Sequence, residues 1–176
     1  MKNPCLVIID VQENLFPVIS DNKALLENLI VLIKGFQLFG RPIIITEQVP
    51  EKLGNTLRSI SSLFNNMDPI TKCSFSCARE PSFMKALDTI NPDEIILAGI
   101  ESHVCVYQTS HDLLKQNRHV EIITDGISSR KNHNHTIALN RMSKEGACLS
   151  SVEMLLFSIQ EKAEGDTFRK LVKLVR

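Results

Sequence analysis

Three side chains, Asp10, Lys72 and Cys105, could together carry out nucleophilic catalysis. A thiolate is the nucleophile, a carboxylate can take the thiol proton and return it to a leaving group, and an ammonium can stabilise the thiolate while keeping the carboxylate ionised. Cys105 follows an apolar run that breaks at Gly99, so we expect it in the first turn of a helix. The helix dipole there would make it a better thiolate than a free cysteine. This set needs no histidine.

The elements around these residues predict an α/β fold with a parallel sheet. Short apolar runs alternate with stretches of helical periodicity, and such runs are typical of strands buried on both faces. We predict strands at residues 5–9, 43–45, 95–98 and 120–123, with a brief strand near 70 and a weak one at 147–150. We predict helices around residues 25–36, 81–90, 103–117 and 134–146, and a loop with short helices between 49 and 70.

This topology would bring the three side chains together. Asp10 ends the first strand, Lys72 follows the short third strand, and Cys105 begins the helix after the fourth. Ligands bind beyond the carboxyl ends of strands in an open parallel sheet, so one edge would hold all three. Taken singly, Asp10 could be a turn cap, Lys72 a solvated side chain and Cys105 a packing residue. Their joint placement favours the functional interpretation.

Composition excludes several classes of protein. The chain has 176 residues, 43% hydrophobic and 23% charged, with a formal net charge of zero. We expect a single domain over residues 1–176, with no nucleic-acid partner, because no global field would attract one. No apolar run is long enough for a membrane span, and no signal peptide is evident. Five cysteines without a paired framework predict reduced thiols and a cytoplasmic location.

Four segments resemble the isochorismatase-like cysteine hydrolases, most closely their small isochorismatase-domain-containing proteins. They read Ile-Ile-Asp-Val-Gln at 8–12, Ile-Thr-Lys at 70–72, Ala-Gly-Ile-Glu-Ser-His-Val-Cys-Val at 98–106 and Thr-Asp-Gly-Ile-Ser-Ser-Arg at 124–130. The Gly-Ile-Glu-x-x-x-Cys block is the most specific of them. The resemblance implies a three-layer α/β/α sandwich around a six-stranded, mostly parallel, Rossmann-like sheet. It also implies a homo-oligomer.

The family's catalytic triad of Asp, Lys and Cys falls on Asp10, Lys72 and Cys105. The resemblance further implies a cis peptide bond between Ile100 and Glu101, and an oxyanion hole made by the backbone N–H groups of Glu101 and Cys105. Gly99 would supply backbone freedom just before that bond, although a simple strand-to-turn glycine is an equal interpretation.

No metal or cofactor is expected. The related nicotinamidases bind a metal through an Asp-x-His pair and a further histidine after the second strand, whereas the first histidine here is His103. His133 and His135 are better interpreted as solvated or capping side chains. Cys73 and Cys77 lack a partner pair for zinc, although their closeness to Lys72 makes one of them a possible pocket wall. The chain also has neither a dinucleotide-binding glycine motif nor a P-loop.

Four residues are candidates for a substrate pocket: Gln12 and Phe16 after the first strand, Glu47 after the second, and Tyr107 in the helix that follows Cys105. Phe16 and Tyr107 could equally be core or subunit contacts. An apolar face within the last ten residues predicts a helix that docks on the domain or contacts another subunit.

The leading hypothesis is a metal-independent hydrolase that cleaves a small amide or related acyl compound through a thioester on Cys105. One alternative is a binding or scaffold protein with little turnover. Another is a hydrolase of a non-amide bond, such as a vinyl ether, because family membership does not fix the bond that is cleaved.

Overall fold

The sheet has six strands, all parallel, in the order β3-β2-β1-β4-β5-β6. We describe residues 3–176 of a computed structural model of the chain. The strands are β1 Pro4–Ile9, β2 Ile43–Gln48, β3 Ile70–Lys72, β4 Glu94–Ile100, β5 Val120–Ser128 and β6 Cys148–Ser150. The two central strands β1 and β4 are almost wholly buried, which explains their continuous apolar sequence.

Helices cover both faces of the sheet. They are α1 Asn22–Leu38, α2 Pro50–Leu53, α3 Arg58–Ser61, α4 Pro81–Ile90, α5 Tyr107–Lys115, α6 Asn132–Lys144, α7 Val152–Gln160 and α8 Gly165–Leu174. One core contains side chains of α1, α3, α7 and α8, and the other contains side chains of α4, α5 and α6. The three-layer α/β/α architecture with a Rossmann-like sheet is therefore confirmed.

The predicted order of strands and helices agrees with the structure, but β2 and β5 continue to Gln48 and Ser128, beyond their predicted ends, and two helical regions differ. The helix expected over 103–117 is divided, because Ser102–Val106 forms a π-helical turn before α5 begins at Tyr107. Helix α7 was not predicted, although Ser151 caps it by accepting a hydrogen bond from the Met154 N–H. The apolar residues of α7 were missed because no helical periodicity was recognised between the last strand and the C-terminal helix.

The C-terminal helix α8 docks on its own domain. Leu171 is fully buried in the core shared with α1 and α7, and the Phe157 and Phe168 rings meet edge to face at 6.5 Å. The apolar face that could have served a subunit contact is thus used for packing within the chain.

Within residues 3–176, no helix is both long and apolar enough to cross a membrane. The cytoplasmic location stays a prediction.

Candidate active site

Asp10 lies directly after β1, in a left-handed backbone conformation with φ of 53°, and is fully buried. Its Oδ1 accepts a 2.8 Å hydrogen bond from the Thr46 hydroxyl, and its Oδ2 lies 2.6 Å from the Lys72 ammonium. The left-handed conformation is uncommon for a residue other than glycine and is often found at functional sites. Both oxygens of the carboxylate are therefore fixed in position.

Lys72 is the last residue of β3 rather than the residue after it. Besides Asp10, its Nζ donates to Gln48 Oε1 at 2.7 Å and lies 3.2 and 3.3 Å from the carbonyl oxygens of Ser74 and Phe75. Burial is the largest single influence and would lower the pKa of Lys72, but the charge and hydrogen bond of Asp10, together with Cys77 and Cys105, raise that pKa above its ordinary value. Lys72 is thus a fixed cation and not a base.

Cys105 lies in the π-helical turn, 6% exposed, where the charges of Asp10 and Lys72 both act on its thiol. The turn forms because the Glu101 carbonyl oxygen accepts from the N–H groups of Val104, at 3.1 Å, and Val106, at 3.3 Å. Such π-helical turns occur frequently at functional sites. The sheet edge thus brings the acid, the cation and the thiol together.

The expectation that Cys105 is a better thiolate than a free cysteine is wrong for the resting site. Burial raises the pKa of the Cys105 thiol, and the negative charge of Asp10 raises it further, while Lys72 lowers it. The net shift is upward because desolvation and the carboxylate outweigh a cation that Asp10 already pairs. The resting cysteine is a neutral thiol beside a base.

The peptide bond between Ile100 and Glu101 is cis. The Glu101 side chain is buried and accepts hydrogen bonds from the Arg130 backbone N–H at 2.9 Å and from its Nε at 3.1 Å. Gly99 has φ of 115°, and a Cβ there would overlap the carbonyl oxygen of Ile9 in the adjacent strand. Gly99 is therefore required by the close approach of β1 as well as by its own backbone conformation.

Two predicted pocket residues hold a loop instead of presenting free polar atoms. Gln12 donates through Nε2 to the carbonyl oxygens of Gln48 and Gly54, and its Oε1 accepts from the Gln48 N–H at 2.8 Å. Glu47 Oε1 accepts from the N–H and the hydroxyl of Thr56. Both side chains are buried and anchor the segment after β2.

The other two predicted pocket residues also have structural contacts. Phe16 is 8% exposed and packs in the core with α1. The Tyr107 hydroxyl donates to Glu145 at 3.0 Å, and the Arg141 guanidinium lies 4.7 Å from the centre of the Tyr107 ring. Tyr107 belongs to a cluster between α5 and α6, so the structure does not bring it together with the three reactive side chains.

Sequence reasoning missed three partners of the site. Thr46 and Gln48 hold Asp10 and Lys72, and their position at the end of a strand beside β1 was the available signal. Cys77 was considered only as a possible pocket wall, but it is buried and its Sγ lies 3.8 Å from the Thr46 hydroxyl. Burial raises the pKa of Cys77 to about 11. Its contact with Thr46 was missed because that contact depends on the loop after β3.

A cavity of about 330 Å³ is lined in part by Lys72, but not by Asp10 or Cys105. Its walls also include Ser74 and Arg79 together with the residues that follow β2. Phe75, in the same loop, is 53% exposed although Lys72 bonds its carbonyl oxygen. The loop after β3 thus helps to form a recess next to the site and carries an exposed aromatic side chain.

No group of three or more histidine, cysteine or acidic side chains within residues 3–176 is arranged to hold a metal ion. His135, expected to be solvated or capping, is partly buried, and its Nδ1 lies 2.9 Å from the Ser102 hydroxyl. Burial lowers the pKa of His135, which favours a neutral ring. His103 is similarly engaged, by Ser129 and Asn134.

The sequence and fold match known proteins over almost the whole chain. Residues 4–154 match the model of the Isochorismatase domain. Isochorismatase domain-containing protein 2 of Danio rerio is 31% identical over 175 residues, which cover 99% of this chain and 87% of that protein.

Two solved structures have closely similar folds. That of MAR1 ribonuclease from Caenorhabditis elegans superposes with a TM-score of 0.92 at 29% identity, covering 98% of this chain and 89% of the other. The Escherichia coli YcaC gene product, described as an octameric hydrolase of unknown specificity, gives a TM-score of 0.92 at 19% identity, covering 98% and 87%. On the match of its sequence to the domain model and to the Danio rerio protein, the chain belongs to the isochorismatase family.

Proposed function

We propose that this chain is a cysteine hydrolase that cleaves a small amide or related acyl compound through a thioester on Cys105, without a metal ion. The observation that carries the proposal is the buried Asp10 carboxylate, which is fixed by Thr46 and Lys72 and whose charge acts on the Cys105 thiol. A neutral thiol beside a carboxylate can transfer its proton as it attacks. The chain's membership of the isochorismatase family, whose name denotes a hydrolase, supports this chemistry.

In the proposed reaction, Asp10 takes the Cys105 proton while the sulfur bonds to the substrate carbonyl carbon. The carbonyl electrons move to oxygen, and backbone N–H groups of Glu101 and Cys105 stabilise that oxyanion. The oxyanion collapses, the C–N bond breaks, and Asp10 returns the proton to the departing amine. A water molecule then attacks the thioester with Asp10 as base, which releases the acid and restores the thiol.

Lys72 contributes charge and position to this cycle. Its ammonium pairs with the Asp10 carboxylate before the reaction and stabilises the thiolate character that develops on Cys105. Because its pKa is raised by Asp10, it remains charged through the neutral pH range. Gln48 and the carbonyl groups of the loop after β3 fix the ammonium toward Asp10.

The burial of the site supports a small substrate. Asp10, Lys72 and Cys105 are 0%, 3% and 6% exposed, so a polymer backbone could not reach the sulfur without a large opening. The ribonuclease name belongs to the C. elegans protein, and a nucleic-acid substrate is disfavoured here because the net charge is zero and the reactive atoms are enclosed. We also propose a homo-oligomer, as described for the YcaC protein; the mass in solution tests it.

The experiment is a panel of small amides, esters and thioesters assayed by hydrolysis and by mass spectrometry of the intact protein. We expect at least one substrate to leave an acyl adduct that maps to Cys105. The Cys105→Ala variant should lose both adduct and turnover, whereas Cys148→Ala, at an exposed cysteine, should keep both. Hydrolysis that survives in Cys105→Ala would exclude the mechanism. Turnover that depends on Cys105 only when a divalent metal is added would exclude metal independence.

A further inference from the structure

A second cavity lies at the β2–β3 edge of the sheet, outside the site described above. Its volume is about 430 Å³, and none of its walls is formed by Asp10, Lys72 or Cys105. β3 pairs only with Thr46–Gln48, at the carboxyl-terminal half of β2. The outer edge of residues 43–45 therefore has no neighbouring strand, and the cavity occupies the position where one would lie.

The hydrogen bonds between β1 and β2 show which backbone groups of β2 face this cavity. Leu6 N–H donates to the Pro42 carbonyl and Asp10 N–H to the Thr46 carbonyl, so the even-numbered residues of this stretch turn their backbone groups toward β1. Ile43 and Ile45 consequently turn theirs outward. The outer edge of β2 at residues 43–45 is about 10 Å long. Along it, backbone N–H donors and a carbonyl acceptor face outward at the spacing found between residues of a strand.

Apolar side chains lie on both sides of the open position, although polar residues also line the cavity. Phe64 and Met67 lie in the layer of α1, whereas Ala86 and Ile90 lie in the layer of α4. Ile70, at the start of β3, closes one end. A strand placed there would bury alternate side chains against the two walls, as the existing strands do.

The shape and charge of the opening select one occupant. Walls on both sides recess the edge, so a slender extended chain fits and the sheet edge of a second folded copy does not. Asp68, exposed at the rim, has no ion pair or side-chain hydrogen bond within residues 3–176, and no cationic side chain lines the cavity. A basic side chain would complement this carboxylate.

We propose that this edge binds an extended peptide segment of another protein by adding it to the sheet as a strand beside Ile43–Ile45. The segment carries apolar side chains at consecutive positions, facing the two walls in turn, and a lysine or arginine at the end near Asp68. Backbone hydrogen bonds supply affinity and the two walls supply side-chain preference, as in other strand-addition sites.

The test selects a phage-displayed library of random heptapeptides on the wild-type chain and measures the enriched synthetic peptides by fluorescence anisotropy. We expect enriched sequences to share an apolar core with a terminal basic residue. Amide hydrogen exchange at Ile43 and Ile45 should slow on binding. A library that yields no common pattern, or peptides that leave these two amides unchanged, would overturn the proposal.

Three variants distinguish strand addition from non-specific peptide binding. Ile43→Pro removes an outward N–H but none of the hydrogen bonds to β1, and proline is tolerated where a strand forms a sheet edge. This change should weaken peptide binding at least about tenfold. Its matched control, Ile43→Val, should bind as the wild type does. Asp68→Asn changes an exposed side chain, so folding is not at issue; it should weaken binding severalfold and reduce the salt dependence. Equal affinity for all variants, or a change of solution mass with Ile43→Pro that reveals pairing between copies, would contradict peptide binding.

Discussion

The Lys72 ammonium and the Asp10 carboxylate are 2.6 Å apart, and neither side chain is exposed to solvent. Each charge was removed from water at a cost that only its partner and the surrounding polar atoms offset. Thr46 and Gln48 provide those atoms, one for each partner. The pair is therefore a coupled unit, and removing either charge alone leaves the other buried without compensation.

The first prediction concerns this coupling. Lys72→Met should lower the free energy of unfolding by about 3–5 kcal/mol, and Asp10→Asn/Lys72→Met by less than the sum of the single changes. Urea unfolding of the four proteins measures the interaction energy. The control is the ion pair between Arg79, 63% exposed at its side chain, and Asp112, whose disruption should cost much less. Equal losses of unfolding free energy for the two ion pairs would show that burial does not determine the cost of breaking a pair.

The second prediction separates the thiol pKa from turnover. Asp10→Asn removes a charge that raises the pKa of Cys105 and leaves Lys72, which lowers it, unpaired. The pH profile of Cys105 alkylation should therefore shift to lower pH, while hydrolysis of any substrate found falls at least about 100-fold because the proton acceptor is lost. Iodoacetamide kinetics followed by mass spectrometry measure the first effect. An unshifted alkylation profile, or undiminished hydrolysis, would remove Asp10 from its proposed role.

Sequence reasoning could reach the architecture because its signals are local. The apolar runs that became β1 and β4 and the periodic stretch that became α4 each encode their own element. The position of Asp10, Lys72 and Cys105 at one edge then follows from parallel topology. What it could not give is the electrostatic balance at Cys105, since burial and the distance to Asp10 exist only in the folded chain.

The predicted substrate pocket shows the same limit of sequence reasoning. Gln12 and Glu47 lie close to the site along the chain, and their residue types suit substrate binding. Their hydrogen bonds, however, are made with Gln48, Gly54 and Thr56, which sequence spacing does not reveal. Tyr107 was placed by assuming a regular helix from 103 onward, and the π-helical turn before α5 changes the direction of the side chains that follow it.

The third prediction tests the position of Tyr107. Tyr107→Phe removes only the hydroxyl that donates to Glu145, outside the reactive cluster. Turnover should stay within about twofold of the wild type, and the free energy of unfolding should fall by about 0.5–1.5 kcal/mol. Steady-state kinetics and urea unfolding measure both. A large rise in KM with an unchanged stability would instead return Tyr107 to the substrate pocket.

The fourth prediction concerns Gly99. Gly99→Ala would place a Cβ against the backbone of Ile9 in a conformation with positive φ, so β1 and β4 could no longer pair as they do. We expect a loss of more than about 3 kcal/mol in the free energy of unfolding, or failure to fold. Gly146→Ala is the matched control, because it also has positive φ but no atom near the added Cβ. Its cost should be clearly smaller in the same urea titration.

The fifth prediction concerns alkaline stability. Burial raises the pKa of Cys5 from 9.0 to about 12. Below pH 9 both the folded and unfolded chains keep this proton; between pH 9 and 12 the unfolded chain loses it and the folded chain does not, so the thiol's contribution to stability is lost progressively as pH rises. Cys5→Ala should reduce the slope of the unfolding free energy by up to about 1.4 kcal/mol per pH unit in this range. Cys148→Ala, at an exposed cysteine, should leave the slope unchanged when both are measured by urea unfolding from pH 8 to 11. Parallel curves for wild type and Cys5→Ala would mean that Cys5 ionises as easily in the folded chain as in the unfolded one.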